Sequence, residues 1–549
     1  MKFLRVLVFV FAATLALGAH ADDEHHHHEA GKPEQLGQVH FPISCNAAAQ
    51  KQFERAVAML HSFWYEESTK GFTGVTQTDP TCAMGYWGIA MSQWYPLWSA
   101  PDATHFAAGE AAVEKARALG AKTGRERDYI AAIETFYKDP DHLDYRARTL
   151  AYEQAMEQVH ARYPEDREAW AFYSLSLLGS ATALPPDKTY ARQKKAGAML
   201  EKLFAEQPRH PGAAHYIIHS FDFPALASLA LPAARNYAKI APSVPHALHM
   251  PSHIFTRLGL WDESIQSNIA SAAASKDYAA AMHIDGAWQG QFHAMDYLEY
   301  AYLQEGRDRD AKRVAEEIRA IRKASSESMN VAYAWAAVPA RYLIERSQWS
   351  EARTLEAYPS GFPWNRFPIA EAITHFSRAL GAARSGDAGA ARQEVEMLAS
   401  LHDGLLRARD EYWAGQVDVL RQEAAAWAAQ ADGKNDEAVT LMRSAADLED
   451  STEKDPVTPG PIVPARELLG DLLLELHQPA PALAEFEASL QASPNRLRGL
   501  VGAARAAKLS GDDRKASDYY AKLAALLAHA DPERAELKEA KAFLNRLRK

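Results

Sequence analysis

Like side chains recur in this chain at intervals of 34 residues. Gly470 and Ala504, Ala482 and Ala516, and Phe486 and Tyr520 each stand 34 apart. The same interval separates His215 from His249 and His219 from His253. A period of this length belongs to stacked two-helix units, none of which buries its apolar side alone. Small residues must recur where the helices touch, because close approach leaves no room for bulk. No sustained alternation of β-branched residues competes with this pattern, and Ala-rich stretches such as 424–431 favour helix. The expected fold class is all-α.

The C-terminal segment carries the pattern most completely, in Leu469, Gly470, Leu473, Ala482, Phe486 and Pro494, then Ala504, Ala507, Ala516, Tyr520 and Leu523. Near the other end, Ala56, Phe72 and Pro80 precede Tyr86, Trp87 and Gly88, and further units end at Pro164, Pro208 and Pro242. Ala379, Ala382 and Ala391, then Ala426, Ala429, Ala438 and Ala445, mark two more, and Tyr302 and Ala311 a degenerate one. On these residues the chain resembles tetratricopeptide-repeat (TPR) proteins, in pieces, over most of residues 45–549. The resemblance is loose over 100–160, and Pro185 and Pro186 break the period. It implies a right-handed superhelical stack of helix pairs, an α-solenoid whose concave groove holds a protein or peptide.

The expected organisation is an N-terminal array over 40–300, degenerate repeats over 301–448, and a C-terminal repeat pair over 466–549. Between the last two, residues 449–465 carry Pro456, Pro459, Pro461 and Pro464 and read as a linker, because proline cannot continue a helix. The last two repeats would then form a capping lobe.

Residues 1–21 read as a secretory signal of bacterial type. Lys2 and Arg5 precede an apolar run over 7–17, and Ala19 and Ala21 supply the small residues of a cleavage site. The run is too short to span a bilayer, and no later stretch is long and apolar enough to do so. A periplasmic or secreted protein is expected. Cleavage would remove two positive charges and move the formal charge from -11 to -13, a poor balance for binding nucleic acid or anionic lipid. The only cysteines, Cys45 and Cys82, are expected to form a disulfide worth roughly 3–4 kcal/mol in the chain-entropy treatment. Residues 22–39 read as a disordered, histidine-rich tail in which His25, His26, His27 and His28 could collect metal ions loosely.

Eight of the 22 histidines lie between His210 and His293. In the repeat register, His215, His219 and Asp222 fall on the groove face of one helix, and His246, His249 and His253 on that of the next. His293 and Asp296 open a third. Each i, i+4 pair emerges on one side of its helix. Groove helices roughly 8–10 Å apart would let imidazoles from neighbours meet around one zinc, copper or iron ion. The opposite reading is that these rings simply hydrogen-bond within the helix interfaces. Pro245 and Pro251 either distort the second helix or cap it. The run His215-Tyr-Ile-Ile-His219 lacks the glutamate of a zinc-protease motif and is not read as one.

Trp64, Trp87 and Trp94 are candidates for an aromatic groove wall, the other reading being ordinary filling between repeats. The segment 94–101 reads as a loop closing one end of the groove. There is no phosphate-binding loop, dinucleotide fingerprint, nucleophile elbow or haem-attachment motif. Nothing in the sequence forces an enzyme. The sequence supports first an exported scaffold for a protein or peptide, and second a transition-metal-binding envelope protein. A metal-dependent enzyme comes third, with Asp222, Asp285 or Asp296 as general base.

Overall fold

A computed structural model describes residues 34–98 and 100–547. The expected signal segment and His25 to His28 lie outside the described residues. Within them the chain is helical from Ala47 to Leu547, and β-structure is confined to one isolated bridge between Ala287 and Ala324. Successive helices pack as antiparallel neighbours along the chain, so the fold is an all-α solenoid.

Gly470, a small residue of the period, sits where the steric argument requires it. It lies in the helix Ala465–Glu475 and faces Phe486, which is fully buried in Pro479–Ala492; Gly502, in Leu497–Leu509 and outside the period, faces the same ring. A Cβ at Gly470 would lie 2.6 Å from the Phe486 ring, and one at Gly502 only 2.2 Å. Gly502→Ala must therefore displace a ring wedged between two helices, and is expected to cost about 1–3 kcal/mol. Urea unfolding tests this, and an unchanged midpoint would mean that the ring has room to move.

Cys45 and Cys82 are joined by a disulfide, with Cα atoms 5.3 Å apart. The bond ties the approach to the first helix, Ala47–His61, to the start of the third, Ala83–Ser92. The neighbouring Asn46 side chain caps the first helix by accepting from the Ala49 N–H.

Two expectations about the irregular segments are corrected. Of the tail assigned to 22–39, residues 34–39 are ordered, and with 40–44 they form an extended strip along the array. Gln35 donates its N–H to Ser243 Oγ (2.9 Å), and Gln38 donates to the Arg209 carbonyl (2.8 Å). Leu36 is buried, and Phe41 is fully enclosed among the rings of Phe53, Trp87, Tyr129 and Phe172. The strip is ordered because its backbone groups find partners on distant loops and its apolar side chains find a core.

The proline segment does interrupt helix, between Asn435–Ser451 and Ala465–Glu475, yet it is no spacer. Those two helices pack on each other, so the array continues while the intervening residues cross the groove as a strap. Val457, Thr458, Pro459 and Gly460 are buried there. Tyr297 donates its hydroxyl to the Thr458 carbonyl (2.9 Å) and the Pro456 carbonyl (3.2 Å). Proline suits such a path because it brings no N–H that burial would orphan.

The C-terminal repeats also return to the middle of the array. Trp261 donates its indole N–H to the Asn495 carbonyl (2.9 Å), and Arg534 pairs with Asp308 (2.6 Å). At the same junction Arg496 reaches Tyr300, Glu345 and Glu467.

Candidate metal centre

The first histidine helix, Pro211–Phe221, is built for its position. Pro211 takes the first turn, where its missing N–H costs nothing, and His210 caps the helix by accepting the Ala213 N–H on Nδ1 (3.1 Å). His215 and His219 project one turn apart from this helix, with their Nε2 atoms 3.1 Å from each other.

The second is two helices, Pro245–His249 and Pro251–Leu258, each with proline in its first turn. Between them Met250 keeps helical angles, and the His253 N–H bonds to the Met250 carbonyl (3.1 Å). The break is therefore mild, and His249 and His253 still face one way, their Nε2 atoms 3.0 Å apart. The third helix, Gln289–Gln304, brings His293 beside His249, with ring centroids 4.2 Å apart.

Six histidines thus form two neighbouring triads, His215–His219–His246 and His249–His253–His293. Within each, one ring nitrogen per residue lies within 4.8 Å of the others. Two nitrogens held about 2.0–2.1 Å from one ion at a tetrahedral angle would lie about 3.3 Å apart. The two closest pairs approach that spacing.

The hydrogen bonds behind the second triad fix which nitrogens carry protons. Asn268 donates its amide to the Ser264 carbonyl (2.8 Å), so its oxygen faces His249 and accepts from Nδ1–H (2.7 Å). Asp222 Oδ2 accepts from His253 Nδ1–H (3.0 Å). Both imidazoles therefore present bare Nε2 lone pairs to each other. Such lone pairs repel unless a cation lies between them. In the first triad, His215 donates Nδ1–H to the His61 carbonyl (2.7 Å), leaving its Nε2 lone pair toward His219. His246 Nε2 and His293 Nδ1 are buried without a hydrogen-bond partner among the described residues.

A third cluster, His61–Glu168–His210, is a useful contrast. His61 donates from Nε2 to Glu168 (2.8 Å) and accepts from the Tyr216 hydroxyl on Nδ1 (2.9 Å). His210 donates from Nε2 to the other Glu168 oxygen (3.1 Å), and its Nδ1 caps the helix. Every nitrogen is satisfied without an ion, so this cluster reads as structural support. It holds His61, whose carbonyl in turn orients His215.

The sequence placed Asp222 among the metal ligands, and the structure puts it one layer further out. Its oxygens are taken by His253, by Arg257 Nε (2.8 Å) and by Lys454 Nζ from the strap (3.4 Å). Burial alone would raise its carboxyl, but Lys454, Arg257 and His253 hold it well below the usual range. Asp296 is paired with the buried Arg341 (2.7 Å) and Asp285 with Lys323, so each candidate base is already held by a cation.

Trp64, Trp87 and Trp94 do not line the groove: all three are buried in the core. Trp87 meets Phe41, Phe53, Phe72, Tyr129 and Phe172, which is filling between helix pairs. The rings over the histidines are others. Phe63 lies against His215 (4.4 Å between centroids) and Tyr297 stacks on His253 (4.9 Å). Trp98, on the segment expected to close the groove, lies 6.1 Å from His219 and 6.3 Å from His246. Phe63 holds the left-handed position after the first helix, at φ 54°, a place usually taken by glycine. A cavity of about 720 Å³ opens on His246, His249 and His293, with Phe63, Trp98 and Trp288 in its walls.

No family model matches the chain, and no curated protein matches it. Among solved structures it is similar to yeast Tom70, with a TM-score of 0.35 and 8% identity over 91% of this chain and 96% of that one. It is also similar to a human IFIT1 dimer with m7Gppp-AAAA, at 0.35 and 12% over 77% of this chain and 87% of that one. The P58(IPK) TPR domain scores 0.19 at 13% identity, over 92% of this chain and all (100%) of that one. Likenesses this distant carry no argument, and the repeat architecture stands on the chain's own packing.

Proposed function

We propose that this protein binds transition metal in the buried histidine cluster, with the helical solenoid as its rigid frame. The observation that carries this reading is the pair of bare Nε2 atoms of His249 and His253, 3.0 Å apart, with both Nδ1 protons committed behind them. All-imidazole donors suit copper, zinc or iron better than magnesium or calcium. Asn268 and Asp222 serve as positioning residues, each fixing the tautomer and angle of one imidazole. The Cys45–Cys82 disulfide supports placement in an oxidising compartment, periplasmic or secreted.

The test is elemental analysis of tag-free protein in which His25, His26, His27 and His28 are changed to asparagine. Substitution is preferable to deleting 22–39, because the strip from residue 34 is part of the fold. Zinc, copper or iron should copurify or be retained after loading and desalting, and a His249→Ala/His253→Ala variant should lose it. Full retention by that variant, or no retention by the parent, would sink the reading. Asp222→Asn should weaken affinity about 10–100-fold, the usual cost of losing a ligand's hydrogen-bond partner. An unchanged affinity would show that His253 needs no support.

A second reading keeps a protein or peptide partner on the solenoid. It is supported by the extended repeat surface and by the aromatic-walled cavity. The strap already fills the groove at Tyr297, so a partner would engage a different stretch. Affinity for such a partner should survive the His249→Ala/His253→Ala change.

A further inference from the structure

The two triads are neighbours rather than separate sites. Across the boundary, His246 and His249 have ring centroids 6.3 Å apart, and His219 and His253 6.5 Å. Five of the pairs within the triads have centroids 4.2–5.9 Å apart, so the step from one triad to the other is little longer than these. Lys454, whose charge is felt by His219 of one triad and by His249, His253 and His293 of the other, is directed to Asp222 (3.4 Å) and Tyr297 (3.5 Å).

The donors are also alike. Each triad offers three imidazoles, and each helix that serves the second triad is continuous with, or packed on, one that serves the first. Three protein ligands leave at least one coordination position open on each ion. The open side is defined by the cavity of about 720 Å³, which touches His246 of one triad and His249 and His293 of the other. A small ligand entering there would meet an ion held by either triad.

We infer that the six histidines hold two copper ions as one coupled pair, open to a single small bridging ligand such as hydroxide or azide. Copper is the divalent ion that nitrogen donors bind most tightly in the first transition row. Paired ions about 3.5–4 Å apart commonly share one oxygen ligand. The inference rests on the metal-binding reading above and adds number, identity and communication to it.

Copper(II) added to the metal-free protein, again with His25 to His28 changed to asparagine, provides the test. After desalting, two copper ions per chain should remain. Their electron paramagnetic resonance should integrate to well under two spins, because a bridged pair couples its unpaired electrons. His246→Ala and His293→Ala, one from each triad, should each retain about one copper with the full signal of one isolated spin. Circular dichroism would confirm that both variants fold, and each serves as a check on the other. Two coppers with two full spins, or one copper per chain, would overturn the pair while leaving a metal-binding protein. No retained copper would overturn the pair, and no retention of zinc or iron either would overturn the metal-binding reading with it.

Discussion

Arg496→Met is expected to lower the unfolding free energy by about 3–5 kcal/mol, the range for breaking a buried charge network by removing one member. The guanidinium is fully buried. It donates to Glu467 through Nε (2.9 Å) and Nη2 (3.0 Å), to Glu345 through Nη2 (2.5 Å), and to the Tyr300 hydroxyl through Nη1 (2.6 Å). Glu467 is fully buried and the Glu345 side chain is only 6% exposed, so the methionine variant leaves two carboxylates facing each other without their shared cation. Arg498, which also approaches Glu345 (3.5 Å), compensates only in part. The exposed pair Arg514–Asp518 gives the contrast: Arg514→Met should cost well under 1 kcal/mol. Urea titrations of the two variants test the difference. A similar, small loss in both would mean that the junction between the C-terminal repeats and the middle of the array is held by packing alone.

Metal loading is the second large effect. An ion that binds the native state and not the unfolded chain adds about 4 kcal/mol when its free concentration is 1,000 times its Kd. Unfolded histidines bind metal weakly and will reduce the gain somewhat. Zinc is the cleaner probe here because it brings no redox chemistry. The thermal midpoint should rise on zinc loading, fall back with chelator, and fail to move in His249→Ala/His253→Ala. A shift that persists in that variant would place the stabilising ion elsewhere on the chain. The metal-free variant should itself be less stable than the metal-free parent, because two buried rings are lost and Asn268 and Asp222 lose a partner, so the quantity compared is the shift on loading within each protein.

The same residues show how far the sequence reached. The 34-residue interval is legible because stacking repeats the steric demand, and Gly470 and Phe486 meet it in the structure as the spacing requires. The interval also put His215, His219, His249 and His253 on one surface, and the i, i+4 spacing survived the two prolines. Periodicity reports a face, however, and not what stands opposite it. Asn268 and Tyr297 carry no local signal, since each is defined by a histidine on another helix. Asp222 shares the groove face with the histidines, but Arg257 and Lys454 claim its oxygens from 35 and 232 residues away. The tryptophans leave two readings open for a related reason: a large ring at helical spacing fits a groove wall or the filling between repeats, and the structure shows the second. Proline content identified the break after Ser451 without revealing that the broken chain turns inward.

The strip at residues 34–44 bears on the order in which the molecule can be made. A solenoid assembled from neighbouring pairs can begin folding as soon as its first units emerge, because its contacts are short in sequence. Here the opening residues have partners that do not yet exist when they are synthesised. Gln35 waits for Ser243, 208 positions later, and Phe41 is closed in by Phe172. The first helix pairs therefore cannot finish their surface until almost half the chain has been produced. Completion of the N-terminal array becomes a single late event spanning many units, in place of a zipper running from one end.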